Sequence, residues 1–222
     1  MILMYIVSIP LVAGGLVGGL ALKSTRWSDV LAPWISLIAL VFNLFLTLTL
    51  WFKGAQPTLS SSPSQSKIWV AQMDAHWIAE WGVHFKLGAD GLSLMLMMLI
   101  FFLGIMSILA SWREIQSRVS FFYLNLLWIL AGITGVFLAL DLFLFYFFWE
   151  LMLVPIYFLI GIWGHENRTY AAIKFFLFTQ ASSFLMLLSI LGLYFLHGNA
   201  TGIYTFDYAQ LIHTPMPAPT EM

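Results

Sequence analysis

No cysteine occurs among the 222 residues, and that absence removes disulfides, thiol catalysis and iron–sulfur ligation by this chain. Charge is nearly as scarce. Nine Lys and Arg face ten Asp and Glu, a formal net charge of −1 with no long run of either sign. Such a chain has no electrostatic footprint for nucleic acid. Walker A and Rossmann glycine patterns, a nucleophile elbow and paired histidine ligands at compact spacing are all missing as well. Neither hydrolytic nor redox chemistry by this chain alone is supported.

What is abundant is oil. Hydrophobic residues make up 61% and aromatics 17% of the chain, and mean hydropathy is +0.93, far above soluble domains. The chain reads as an integral membrane protein whose partners are the lipid bilayer and other membrane chains, with no nucleic acid. A hydrocarbon core of about 30 Å needs roughly 20 apolar residues per helix. Six segments meet that measure, near 2–22, 31–52, 91–111, 120–139, 142–163 and 171–197. Lipid offers no partner to an unpaired backbone group, so each segment is expected to be a helix. The fold class is therefore all-α, a polytopic transmembrane bundle. The first segment has no basic region before it and is long enough to span, so it is expected to be retained rather than cleaved.

The expected organisation is two helices in 1–52, an outward loop in 53–90, four helices in 91–197 and an outward tail in 198–222. The loop opens with the Pro/Ser-rich connector GAQPTLSSSPSQSK and then turns aromatic. Val83, Phe85 and Leu87 alternate there with His84 and Lys86, which predicts a short β-hairpin over the helix ends. The tail TPMPAPTEM, with three prolines, is expected to be poorly ordered. The link between the fourth and fifth helices is so short that they should be antiparallel neighbours, with Asp141 capping the fifth. Gly14 and Gly18, with Gly15 and Gly19, form two overlapping GxxxG spacings for close helix approach. Lys23, Arg26, Arg113, Arg118, Arg168 and Lys174 all fall at one end of a six-helix path. The positive-inside rule makes that end cytoplasmic and turns the N-terminus outward.

One acid interrupts the apolar run FLFYFFWELMLVPIYFLI at 143–160. Glu150 lies about 12 Å along the fifth helix, close to the membrane midplane. A carboxyl costs a few kcal/mol there and marks a functional site by default; it stays neutral unless a cation or water chain accompanies it. The alternative is a protonated side chain hydrogen-bonded in the bundle for structural reasons. Tyr146 at i−4 and Tyr157 at i+7 share its face, so both phenols are candidates to reach it. Pro155 frees a backbone acceptor one turn beyond it. Lys174 reads as a side chain snorkelling to the inner surface or as a residue on a proton path. His165, beside Glu166 and Arg168, reads as a solvated turn or the inner mouth of such a path. Thr179, Gln180, Ser182 and Ser183 suit interhelical hydrogen bonds. Asp74, His76 and His84 match no compact ligand spacing, so no metal site is expected.

LGADGLSL at 87–94, SWREI at 111–115, the stretch 121–164 and KFFLFTQASSFLML at 174–187 closely resemble the subunit M family of bacterial NADH:quinone oxidoreductase, respiratory complex I. HGNATGIYTFDY at 197–208 resembles it too. The resemblance covers essentially the whole chain and includes the segment around Glu150. It implies an antiporter-like, proton-pumping subunit of the bacterial inner membrane, with other membrane and peripheral subunits as partners. NADH, FMN, iron–sulfur clusters and quinone would belong to those partners, leaving no cofactor on this chain. In the family a glutamate on helix five works with a lysine on a later, broken helix, and Glu150 matches the glutamate. Members are roughly twice as long, with about fourteen helices in inverted repeats. The lysine-bearing half is absent from these residues, and 198–222 is expected to be a cut connector towards it. A secondary cation/proton antiporter subunit and a structural membrane scaffold are the competing functions.

Overall fold

A computed structural model describes residues 1–22, 26–54 and 69–214. Lys23, most of the Pro/Ser-rich connector and the proline-rich tail from 215 onward lie outside the described residues. Six long helices carry the fold: α1 (Ile2–Leu22), α2 (Arg26–Gly54), α3 (Gly91–Glu114), α4 (Val119–Leu138), α5 (Leu142–Trp163) and α6 (Arg168–Thr201). All six are long and apolar enough to cross a membrane. Between α2 and α3 lies an antiparallel hairpin of β1 (Ala71–Ile78) and β2 (Val83–Ala89), and a single turn, α7 (Tyr208–Leu211), follows α6. The expected six-helix bundle and hairpin are both present.

Helix ends differ from the hydropathy limits because polar residues at 26–29 and 198–201 continue the helical backbone past the apolar runs. Helix α2 starts at Arg26 instead of near 31, and α6 runs 34 residues, about 51 Å. Prolines 10, 33 and 155 sit inside helices without ending them. Membrane helices tolerate this where neighbours resatisfy the freed carbonyl. Hydroxyls within the spans bond back along their own helix, as Ser36 does to the Ala32 carbonyl, Thr47 to Asn43 and Thr134 to Leu130. Such bonds remove polar atoms from lipid at little cost.

Helices α1, α2, α3 and α4 enclose the main core, centred on Ile6, Leu40, Phe101, Tyr123 and Leu127, all almost inaccessible. Helix α1 packs on α4 through one of its two glycine pairs. A Cβ on Gly14 would stand 2.6 Å from the Trp128 ring, and one on Gly18 would meet the Leu124 side chain, whereas Gly15 and Gly19 face open space. Helix α5 then packs on α4, and α6 packs chiefly on α5. This leaves α6 at the edge of the bundle, with Phe178, Leu185 and Leu188 exposed.

The hairpin lies over the helix ends where α4 meets α5. Its turn needs Gly82, whose φ is +65° and whose missing Cβ leaves room for the Tyr204 carbonyl. Lys86 accepts at its carbonyl from the Leu140 N–H (2.9 Å), and Leu87 forms a bridge with Ala139. From the far side of α6 the chain returns to the same place. Leu142 donates to the Phe206 carbonyl (2.9 Å), and Tyr208 donates to the Leu140 carbonyl (3.0 Å). Hairpin, α4–α5 link and the 205–208 segment are thus joined by backbone hydrogen bonds that satisfy an otherwise unpaired strand edge.

Candidate functional site

Asp141 sets the start of α5 and hence the placement of everything along it. Its Oδ1 accepts from the N–H groups of Phe143 (2.9 Å) and Leu144 (3.1 Å), and its Oδ2 accepts from the His84 N–H of β2 (3.0 Å). One carboxylate therefore caps a helix and holds the hairpin. Burial pushes the Asp141 carboxyl above its ordinary range, and the hydrogen bonds from His84, Leu144 and Phe143 pull in the opposite direction. Beside it Lys86 pairs with Asp207 at 2.5 Å, both side chains largely enclosed.

Nine residues beyond Asp141, about 14 Å along α5, Glu150 meets α6. The Ser183 hydroxyl and the Gln180 side-chain amide (3.5 Å) both donate to Glu150 Oε1. Tyr146 lies one turn back on α5, on the same face as Glu150. Gln180 and Ser183 stand three apart, so one face of α6 presents two donors to one acid. Ser183 is buried. The result is a polar knot of three hydrogen-bonded side chains between two apolar helices.

The other candidates are distributed differently. Tyr157 packs edge-on against Phe176, with ring centroids 5.6 Å apart, and makes no hydrogen bond among the described residues. It lines a cavity of about 340 Å³ with Val154, Phe158, Ile173, Phe176 and Leu177, which offers no polar link to Glu150. Lys174 is exposed, its ammonium 5.6 Å from the Tyr170 ring centre, a cation–π distance. Six to nine residues separate it from Gln180 and Ser183, about 9 to 14 Å along α6. His165 is exposed in the turn between α5 and α6. Neither basic residue is brought to the acid.

Gln180 and Ser183 escaped the sequence reading as site residues because their polarity fits plain helix packing equally well. A signal was present in their i, i+3 spacing, which lets two side chains on one helix face reach a single acid. The expectation of no metal-binding arrangement rested on linear spacing, and folding changes that spacing. Antiparallel pairing sets His76 opposite His84, and the ligand atoms of Asp74, His76 and His84 lie within 4.8 Å of one another.

Six helices long and apolar enough to cross a membrane, with a part-buried acid between the last two, make this a polytopic membrane protein. By sequence the chain belongs to the NADH:quinone oxidoreductase/Mrp antiporter family, whose transmembrane region matches residues 139–217. The matched residues include Tyr146, Glu150, Gln180 and Ser183. Along nearly its whole length the chain is similar to NADH-quinone oxidoreductase subunit M of Pseudomonas aeruginosa, at 48% identity over 97% of this chain and 43% of that one. It is similar in fold to a chain of respiratory complex I from Thermus thermophilus, with a TM-score of 0.76 and 26% identity over 99% of this chain and 40% of that one. A chain of the Mrp complex from a Dietzia species shares the fold, with a TM-score of 0.71 and 20% identity over 97% of this chain and 21% of that one. The chain thus spans about two-fifths of the length of the curated relative.

Proposed function

We propose that this chain belongs to a proton-translocating membrane subunit of NADH:quinone oxidoreductase, with Glu150 as the group that binds and releases the proton. The observation that carries this reading is the convergence of Gln180 and Ser183 on one carboxyl near the middle of a spanning helix, with Tyr146 one turn away on the same face. Donors aimed at Oε1 stabilise the carboxylate, which has no such help from lipid. A cation arriving within about 4 Å adds roughly 4 kcal/mol at an effective dielectric near 20, enough to drive the proton off. Its withdrawal lets the carboxylate take a proton again and become a neutral acid. Movement of that cation would be driven by conformational or electrostatic change starting at quinone reduction in another subunit.

In this reading NADH, FMN, iron–sulfur clusters and quinone belong to partner subunits. The membrane is the bacterial inner membrane, and the hairpin end together with the N-terminus faces outward. Arg113, Arg118, Arg168 and Lys174 then lie at the cytoplasmic end, as the positive-inside rule requires. Lys174 and His165, both exposed near that end, are assigned as inner-side relay groups. Tyr146, one turn from Glu150 on the same face of α5, is the phenol placed nearest the switch along the helix. Tyr157 contributes an apolar wall.

The Mrp-like fold favours a second reading, a subunit of a secondary cation/proton antiporter. It predicts cation/proton exchange in vesicles without NADH or quinone. The deciding measurement is Glu150→Gln in the full-length subunit, with proton pumping driven by NADH in membrane vesicles. Pumping is expected to fall towards background while the complex assembles normally. Intact pumping in the assembled variant would make the acid an idle part of a structural scaffold.

A further inference from the structure

We propose that Asp74, His76 and His84 on the hairpin form a binding site for a divalent transition-metal cation of the zinc class. The site lies at the end of the molecule opposite the Lys174 end of α6, and it is independent of the function proposed for Glu150. Asp74 and His76 stand two apart on β1, so they share a face of the strand. Antiparallel register places His84 directly opposite His76 on that face. The two rings meet edge-on with centroids 4.6 Å apart, and His84 Nδ1 lies 3.0 Å from Asp74 Oδ1. One ligand atom from each residue falls within 4.8 Å of the other two.

Bonds of about 2.0–2.1 Å in a tetrahedral zinc site set neighbouring donors about 3.3 Å apart. The Asp74–His84 pair need open by only a few tenths of an ångström, and rotation of the His76 ring closes the remaining gap. Two imidazoles and one carboxylate suit zinc, whereas magnesium and calcium favour all-oxygen shells. A water would complete the fourth position.

Two features hold the site open for a cation. Lys86 is the cross-strand partner of Asp74, yet its ammonium is engaged by Asp207 at 2.5 Å and does not occupy the carboxylate. The His84 backbone is fixed by its N–H bond to Asp141, so one ligand is anchored to the helix end before any metal arrives. The side chains of Asp74 and His84 remain partly accessible, at 44% and 29%, which gives an entry path.

The test is titration of the full-length subunit, purified in detergent and stripped with a chelator, with Zn²⁺ alone. Saturable binding is expected, with loss of one site per chain in His76→Ala and His84→Ala, or a fall in affinity of at least about 10- to 100-fold. His213→Ala, outside the cluster, should leave binding unchanged. A variant that keeps the ligand number, His76→Cys, should add a sulfur neighbour to the zinc X-ray absorption spectrum even if the alanine variants fold poorly. No saturable binding, binding unaltered by both alanine variants, or zinc without sulfur in His76→Cys would each overturn the site.

Discussion

Asp141 joins three elements through one side chain, and replacing it separates the contributions. In Asp141→Ala the N–H groups of Phe143 and Leu144 lose their cap and the His84 N–H loses its acceptor. Loss of an N-cap costs about 0.5–2 kcal/mol, and a buried N–H left unsatisfied costs about 1–3 kcal/mol. The local opening energy of this corner should fall by about 2–5 kcal/mol. Asp141→Asn is gentler, because the single remaining oxygen can serve Phe143 and Leu144, as Oδ1 does now. Its amide would then face the His84 N–H with a donor, so only the hairpin link is lost. Since about 1.4 kcal/mol is a factor of ten, amide hydrogen exchange in detergent reads the difference directly. Asp141→Ala should speed exchange about 30-fold or more in both β2 and the first turn of α5, and Asp141→Asn, which loses only the hairpin link, about 5- to 150-fold in β2 alone. Unchanged β2 exchange in both variants would show that the carboxylate does not hold the hairpin.

Two further outcomes follow from packing and capping. Gly14→Leu should cost about 1–3 kcal/mol by overpacking against Trp128, while Gly15→Ala should be neutral or slightly stabilising, since nothing stands within 4 Å of the added Cβ; detergent thermal melts of the two variants distinguish them, and equal losses would refute the assignment of the buried face. Asp90 caps α3, and hydrogen bonds from Ser93, its side chain first, hold the carboxyl below its ordinary value of 3.8. The folded state therefore binds that proton less tightly than the unfolded chain. Its contribution, about 1 kcal/mol, is present above pH 3.8 and lost as pH falls through the lower folded value. The stability gap between wild type and Asp90→Ala should close over that acid window, and a gap independent of pH would contradict the assignment.

The six spans were legible because the signal is local: about 20 apolar residues in a row satisfy their own backbone only as a helix. Asp141 was readable as a cap for the same reason, since capping acts within three residues. Alternation at 83–87 gave away the hairpin. The glycine pairs in α1 were visible but not their roles, because helix rotation decides that Gly14 and Gly18 meet α4 while Gly15 and Gly19 do not.

By itself, then, the sequence determined that this is a membrane bundle with one acid deep in its fifth helix, because burial of apolar runs and the cost of a charge in lipid need no knowledge of neighbours. Only the tertiary structure decided which side chains surround that acid. Ser183 and Gln180 reach Glu150 across 33 and 30 residues because α6 docks with that face towards α5. Tyr157, though on the same helix, is drawn instead into an aromatic contact with Phe176. Asp74, His76 and His84 meet only through strand register. Such contacts depend on rotation and register between distant segments, and spacing along the chain carries neither.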